Sequence, residues 1–157
     1  MSQRFTEAKL EQVFIDLLKK EGYPHHLGNT ISRLEDEVII EKDLKDFLSK
    51  KYSLENINDI EIEKIILKIK NLSSSNIYDS NKKFMDWLTN GFILNREDEN
   101  KKDILIHLVD STEIDNNCFK FINQLEIVGS HRRIPDGIVY INGIPLVVIE
   151  FKSAIRE

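Results

Sequence analysis

Apolar residues recur with the period of an α-helix in several stretches of the first part of the chain. Over residues 6–21 they fall on one face, Thr6 offers an N-cap, and Gly22 follows as a C-terminal stop. We therefore expect the chain to open with an amphipathic helix. The same period predicts three further helices over residues 41–51, 59–70 and 76–90.

Shorter apolar runs bounded by turn residues replace the helical pattern in the second part of the chain. The dipeptide Asn142-Gly143 predicts a tight hairpin turn between the last two runs. The final run, LVVIEF, is apolar on both faces, which predicts a central strand covered on both sides. Helices followed by strands indicate an α/β (α+β) domain. We expect a central mixed sheet of about four to five strands flanked by helices, with a helical segment inserted after the first helix. The predicted strands span residues 104–109, 119–129, 136–141 and 146–152.

Composition is typical of an ordinary folded domain. The 157 residues suit a single domain over residues 1–157, and no flexible linker divides them. No apolar run is long enough to span a bilayer, and the N-terminus lacks the apolar stretch of a secretory signal. The single cysteine, Cys118, excludes an internal disulfide and fits a reducing compartment. We therefore expect a cytoplasmic protein.

Three charged residues near the end of the chain can carry chemistry: Asp136, Glu150 and Lys152. Two carboxylates bind a hard divalent cation such as Mg²⁺, and the backbone carbonyl of Phe151 can supply a further oxygen ligand. Lys152 comes two residues after Glu150, so it projects from the same strand face and can orient or deprotonate an attacking water. The trio predicts a nuclease site in which the cation activates water against a phosphodiester.

The trio works only if both carboxylates lie on one face of the sheet. A regular two-residue turn would pair Ile141 with Ile144, which would set Asp136 opposite Ile149 and turn Glu150 to the other face. One additional residue, as a three-residue loop over 142–144 or as a bulge, sets Asp136 opposite Glu150. We therefore expect one of these two irregularities between Asp136 and Ile149.

A simpler interpretation of the same residues is available. Glu150 and Lys152 can form a solvated pair on an edge strand, with Asp136 as a turn acid after Pro135. Charges on a strand this apolar are costly unless they are paired or functional, which favours the metal site. The adjacent His25 and His26 fall in a predicted loop and are weak candidates for metal ligands.

The charge balance argues against a free-standing DNA-binding domain. The net charge is −5, whereas phosphate neutralisation by basic residues supplies most of the affinity of a duplex binder. Either the domain does not bind DNA, or other polypeptide holds the DNA for it.

Several segments resemble the PD-(D/E)xK nuclease superfamily, and more closely the N-terminal nuclease domain of the R subunit (HsdR) of type I restriction enzymes. The motifs are NQ at 123–124, RRxPD at 132–136 and NGxPLVVIExK at 142–152. The first helix, TEAKLEQVFIDLLKKEGY, also resembles the opening helix of that family, in which a glutamate lines the site. Glu11 is the best positional match, and Glu7 lies one turn earlier.

The resemblance implies a restriction-endonuclease-like fold that cuts duplex DNA with Mg²⁺. It implies catalytic roles for Asp136, Glu150, Lys152 and Glu11, with the metal held by both carboxylates and the Phe151 carbonyl. It implies a complex with modification and specificity subunits, and ATP use by motor domains of the full-length subunit rather than by this chain. The segments that carry it also contain the expected DNA-contacting residues, Arg132, Arg133, Asn123 and Gln124.

The resemblance also implies that family members continue beyond this point into a helix that supports the active site. We therefore expect that the chain, which ends in SAIRE, is truncated before that helix. A free-standing DNA repair nuclease and a non-catalytic docking domain of the same fold are the alternatives. The intact Asp136, Glu150 and Lys152 favour the enzyme over the docking domain.

Overall fold

The computed structural model describes residues 6–72, 75–98, 100–129 and 131–152. The chain divides into two compact units, one from residues 1–40 and 118–157 and the other from residues 41–117. The expected truncation concerns residues 153–157, which lie outside the described residues.

Helices occur mainly in the first part of the chain and strands in the second. None of the described helices is long and apolar enough to cross a membrane. The elements in chain order are α1 (Glu7–Lys20), β1 (His25–Leu27), α2 (Glu41–Lys51), α3 (Asp59–Lys70), α4 (Ile77–Asn90), β2 (Phe92–Leu94), β3 (Ile104–Ile106), β4 (Phe119–Asn123), β5 (Ile127–Val128), β6 (Arg132–Arg133), β7 (Gly137–Ile141) and β8 (Ile144–Ile149).

Both of the caps that the sequence predicts for α1 are present, and the structure adds a further cap at α3. The Thr6 side chain accepts a hydrogen bond from the Lys9 backbone N–H, and Gly22 follows α1 with φ +87°. Asn58 and Glu61 form a reciprocal capping box at the start of α3. The prediction of four helices is therefore confirmed.

The first unit contains a four-stranded mixed sheet in the order β1-β4-β7-β8. Strand β1 runs parallel to β4, whereas β4, β7 and β8 form an antiparallel meander. This arrangement confirms the predicted α/β class and the restriction-endonuclease-like architecture. The expected strand over 119–129 is divided into β4 and β5, because Gln124 adopts φ +52° and breaks the ladder.

The position predicted for the last strand is wrong. Among the residues that the structure describes, β8 pairs with β7 alone and forms an edge of the sheet, and Val147 and Val148 are 50% and 63% exposed. A run of apolar residues shows that both faces of a strand lack charged side chains, but it does not show how many strands lie beside that strand. The edge position leaves Val148 and Glu150 accessible from one side of the sheet.

Side chains from both faces of the sheet hold it in place. On one face, α1 packs through Phe14, whose ring contacts the edges of Phe121 and Phe151 at centroid distances of 5.6 Å each. On the other face, the Tyr140 hydroxyl donates to the Val38 carbonyl at 3.0 Å. The core on that second face consists of Ile40, Ile122, Leu125, Ile138 and Tyr140.

The hairpin between β7 and β8 contains the irregularity that the two carboxylates require. Asn142 and Gly143 form a two-residue turn with φ +52° and +76°, and Ile141 pairs with Ile144. The ladder then shifts by one residue, because Tyr140 pairs with Pro145 but Val139 pairs with Val147. Leu146 is the additional residue, so the bulge alternative of the prediction is confirmed.

The second unit packs the apolar faces of its helices, which contribute Leu44, Leu48, Ile62, Ile65, Ile66 and Trp87 to the buried residues. Among the described acids of this unit, Asp110 is the most heavily hydrogen-bonded, since it accepts bonds from the backbone N–H groups of Thr112 and Glu113. The Lys51 ammonium lies 2.6 Å from its other oxygen. The Glu113 N–H and Lys51 hold the pKa of the Asp110 carboxyl well below its ordinary range.

Replacing Asp110 by asparagine tests this network. The amide oxygen of an asparagine can accept the two backbone bonds, but a neutral amide cannot pair with Lys51. We therefore expect Asp110→Asn to lower the free energy of unfolding by roughly 2 kcal/mol at neutral pH. Because the folded pKa is lowered, the stabilisation is complete above the ordinary carboxyl pKa of about 4 and is lost as pH falls below it. Urea unfolding at several pH values measures both effects.

The exposed Asp115→Asn is the matched control, and we expect it to leave the unfolding free energy unchanged. A difference between wild type and Asp110→Asn that stayed constant from neutral pH to about pH 2 would contradict the assignment.

Candidate active site

The candidate residues meet at one end of the sheet. Gly137 of β7 pairs with Asn123 of β4 on one side and with Ile149 of β8 on the other. One position further outward lie Asp136 and Glu150, so the register that the bulge creates, continued by one residue, places these two residues opposite each other. Side chains directly opposite in an antiparallel pair have Cβ atoms about 5 Å apart, close enough to share a small cation.

Asp136 is anchored to the strand that carries Glu150. Its Oδ2 atom accepts a hydrogen bond of 2.6 Å from the Phe151 backbone N–H, and the residue is half-buried behind the buried Pro135. The bond fixes the Asp136 carboxylate beside the backbone that joins Glu150 to Lys152. The Phe151 carbonyl lies on that same stretch of backbone.

Glu150 and Lys152 are exposed, and within the described ranges neither side chain makes a hydrogen bond or an ion pair. The solvated Glu150–Lys152 pair considered from the sequence is therefore not formed. Strand β8 ends at Ile149, so the strict alternation that placed Lys152 beside Glu150 applies only up to that residue.

An aromatic cluster supports the backbone on either side of Asp136. A Cβ atom on Gly137 would lie 2.4 Å from two ring atoms of Phe121, so only glycine leaves room for this ring. Phe14 of α1 packs against both Phe121 and Phe151. The cluster thus holds two residues next to the Asp136 carboxylate. Gly137 follows Asp136 in sequence, and the Phe151 backbone N–H donates a hydrogen bond to that carboxylate.

A chain of hydrogen bonds holds Glu11 against β4 on the α1 face of the sheet. The Asn123 Nδ2 atom donates to Glu11 Oε1 at 2.8 Å, and Asn123 Oδ1 lies 2.8 Å from His25 Nε2. A carboxylate only accepts, so the Asn123 amide group must turn its NH₂ to Glu11 and its oxygen to His25. His25 therefore carries a proton on Nε2.

The network changes the interpretation of two residues. Asn123 is 5% exposed and both ends of its amide group are bonded, so the structure places it as a support for Glu11 rather than on the DNA-accessible surface expected for it. The sequence pattern predicts a loop at His25 and does not indicate its contact with Asn123. That contact depends on the parallel pairing of β1 with β4, which sets His25 beside Phe121. Pairing between segments so far apart has no local sequence pattern.

The two arginines expected to contact DNA have different surroundings. The Arg132 guanidinium forms a double contact with the Glu126 carboxylate, at 2.6 Å from Nε and 2.7 Å from Nη2. Arg133 instead lines a cavity of about 590 Å³ together with Glu150. Gln124 is exposed at the break between β4 and β5.

The donor set fits a hard divalent cation. Asp136 and Glu150 offer carboxylate oxygens, and the Phe151 carbonyl adds a backbone oxygen. Within the described parts of the chain, no group of three or more His, Cys, Asp or Glu side chains could hold a metal by itself. A cation here would therefore keep several waters, which is the usual preference of Mg²⁺.

Known proteins resemble the whole chain. The family model described as type I restriction enzyme R protein N terminus matches residues 4–157. The endonuclease subunit named for the type I restriction enzyme MjaIXP of Methanocaldococcus jannaschii is 33% identical over 156 residues, which cover 92% of this chain and 15% of that protein. The subunit named for HindI of Haemophilus influenzae is 47% identical over 55 residues, which cover 34% of this chain and 5% of that protein. The chain thus spans a small part of these relatives, and it belongs to the family of type I restriction enzyme R protein N-terminal domains.

Proposed function

We propose that residues 1–157 act as the Mg²⁺-dependent endonuclease domain of a type I restriction R subunit. The domain would hydrolyse phosphodiester bonds of duplex DNA. The observation that carries the proposal is the Leu146 bulge, whose register, continued one residue beyond the Gly137–Ile149 pair, would bring Asp136 opposite Glu150. The names of the relatives, which are endonuclease subunits, support the same activity.

Each residue of the site has a separate task. Asp136 and Glu150 would hold Mg²⁺ together with the Phe151 carbonyl, and the hydrogen bond from Phe151 N–H keeps Asp136 in position. Bound Mg²⁺ supplies Lewis-acid activation of the phosphate and lowers the pKa of a bound water. Lys152 would hold the attacking water and offset negative charge as the phosphorus becomes pentacoordinate in the transition state. Glu11 is held by Asn123, which pairs with Gly137 next to Asp136, and would add negative charge from the α1 side of the sheet.

Duplex DNA, modification subunits and specificity subunits are the partners we propose for the full-length protein. The acidic balance of the chain, −5, means that other polypeptide must supply most of the attraction to phosphate. Motor domains that use ATP elsewhere in the subunit would bring DNA to this site in the cytoplasm. A nuclease domain with weak intrinsic affinity would then cut only DNA that is delivered to it.

The Asp136→Asn substitution tests the metal ligand. Asparagine keeps an oxygen that can accept from Phe151 N–H, so the fold is retained, but it removes a negative ligand. We expect ATP-dependent plasmid cleavage by the full-length subunit, assembled with its partners, to fall by roughly 100-fold or more. ATP hydrolysis should be unchanged.

The exposed acid Asp36 lies in the same unit, and Asp36→Asn should cleave at the wild-type rate. Cleavage that survives Asp136→Asn would show that the site is assigned wrongly. Loss of ATP hydrolysis as well would mean that Asp136 has a structural role, as expected for a docking domain.

The Glu11→Gln and Glu7→Gln substitutions decide between the two helix glutamates. A glutamine in place of Glu11 can still accept from Asn123 but no longer carries charge, so we expect the Mg²⁺ concentration for half-maximal cleavage to rise about 10-fold to 100-fold. Glu7 is exposed on the first turn of α1, and its substitution should leave that concentration unchanged. Titration of Mg²⁺ in the cleavage assay measures both, and the reverse pattern would assign Glu7.

A further inference from the structure

A concave surface adjoins Glu150 on the face of the sheet opposite α1. The cavity of about 590 Å³ lies between the β5–β6 ribbon and the ends of β7 and β8. Its lining includes Ile127 and Arg133 from the ribbon, and Ile138, Val148 and Glu150 from the sheet. If Glu150 binds the metal at the cut bond, as proposed above, the strand being cut must pass over this cavity.

The ribbon divides its two arginines between two sides. Successive residues of a strand point to opposite faces, so Arg132 and Arg133 of β6 cannot share a surface. Arg132 turns to Glu126, whose carboxylate neutralises it through two contacts. Arg133 turns to the cavity, and within the described part of the chain its guanidinium has no ion-pair partner.

The chemistry of the walls fits one nucleotide of a DNA strand. Val148 is 63% exposed on the sheet and Ile134 is 49% exposed beside Arg133, so the cavity offers apolar surface to a sugar and a base. A guanidinium without a partner offers charge-assisted hydrogen bonds to a phosphate. The Glu150 carboxylate repels phosphate unless a cation lies between them. The metal would therefore lie next to Glu150, the cut phosphate next to the metal, and the neighbouring nucleotide further along the same wall of the cavity.

We propose that this cavity receives the nucleotide next to the cut bond, and that Arg133 binds the phosphate of that nucleotide. Arg132 takes no part in the contact. The proposal rests on the nuclease function given above. Of the two arginines expected to contact DNA, it assigns a phosphate contact to Arg133 alone.

The salt dependence of DNA binding tests the proposal. The full-length protein is titrated with a short duplex oligonucleotide in Ca²⁺ at several salt concentrations, without ATP, and log Kd is plotted against log salt. Each phosphate contact contributes about 0.9 to the magnitude of the slope, whatever other parts of the protein bind. We expect Arg133→Ala to reduce that magnitude by about 1.

Two matched variants make the result specific. Arg133→Lys should keep the wild-type slope, since a point charge is sufficient for a phosphate contact. Arg132→Ala should also keep it, because Arg132 is directed to Glu126. A wild-type slope for Arg133→Ala, or a reduced slope for Arg132→Ala alone, would overturn the proposal.

A cleavage assay with Glu150→Gln separates this proposal from the function beneath it. If Glu150→Gln is inactive and Arg133→Ala keeps the wild-type slope, the cavity proposal fails and the nuclease assignment stands. If Glu150→Gln cuts at the wild-type rate, the nuclease assignment fails, and the cavity loses its place beside the cut bond.

Discussion

The alternation of side chains along a β-strand is the constraint on which the site depends. Two carboxylates on neighbouring strands can share a cation only if they point to the same face, and a shift of one residue separates them. The Asn142-Gly143 turn alone would impose that separation. The bulge at Leu146 shifts the register by one residue, so that its continuation beyond the Gly137–Ile149 pair places Asp136 opposite Glu150. The proposed metal site therefore requires the bulge.

The surrounding packing keeps this opposition in place. Phe121 fits against the bare backbone of Gly137, and Phe14 joins that ring to Phe151. These contacts bring α1 onto the sheet at the end where Asp136 lies. The same helix carries Glu11, which a buried hydrogen-bond chain connects to β4. Aromatic packing and the polar network therefore act on the sheet from the α1 side, and the cavity that Glu150 lines adjoins the other side.

Local signals in the sequence predicted the helices, the turn and the need for an irregular hairpin, because caps, periodicity and strand parity involve neighbouring residues. They did not predict contacts between distant segments. The parallel pairing of β1 with β4, which brings His25 to Asn123, has no local pattern. The edge position of β8 could not be predicted, because a run of apolar residues does not indicate how many strands lie beside it. The separation of Arg132 from Arg133 required knowing that β6 is a strand and that Glu126 lies on one side of it.

Anomalous diffraction from crystals soaked in Mn²⁺, a substitute for Mg²⁺, would show whether Asp136 and Glu150 share one cation. We expect one peak within direct coordination distance of both the Asp136 and the Glu150 carboxylates, with the Phe151 carbonyl or waters completing the shell. A peak bound by only one of these carboxylates, or Mn²⁺ bound solely at other acids, would contradict it.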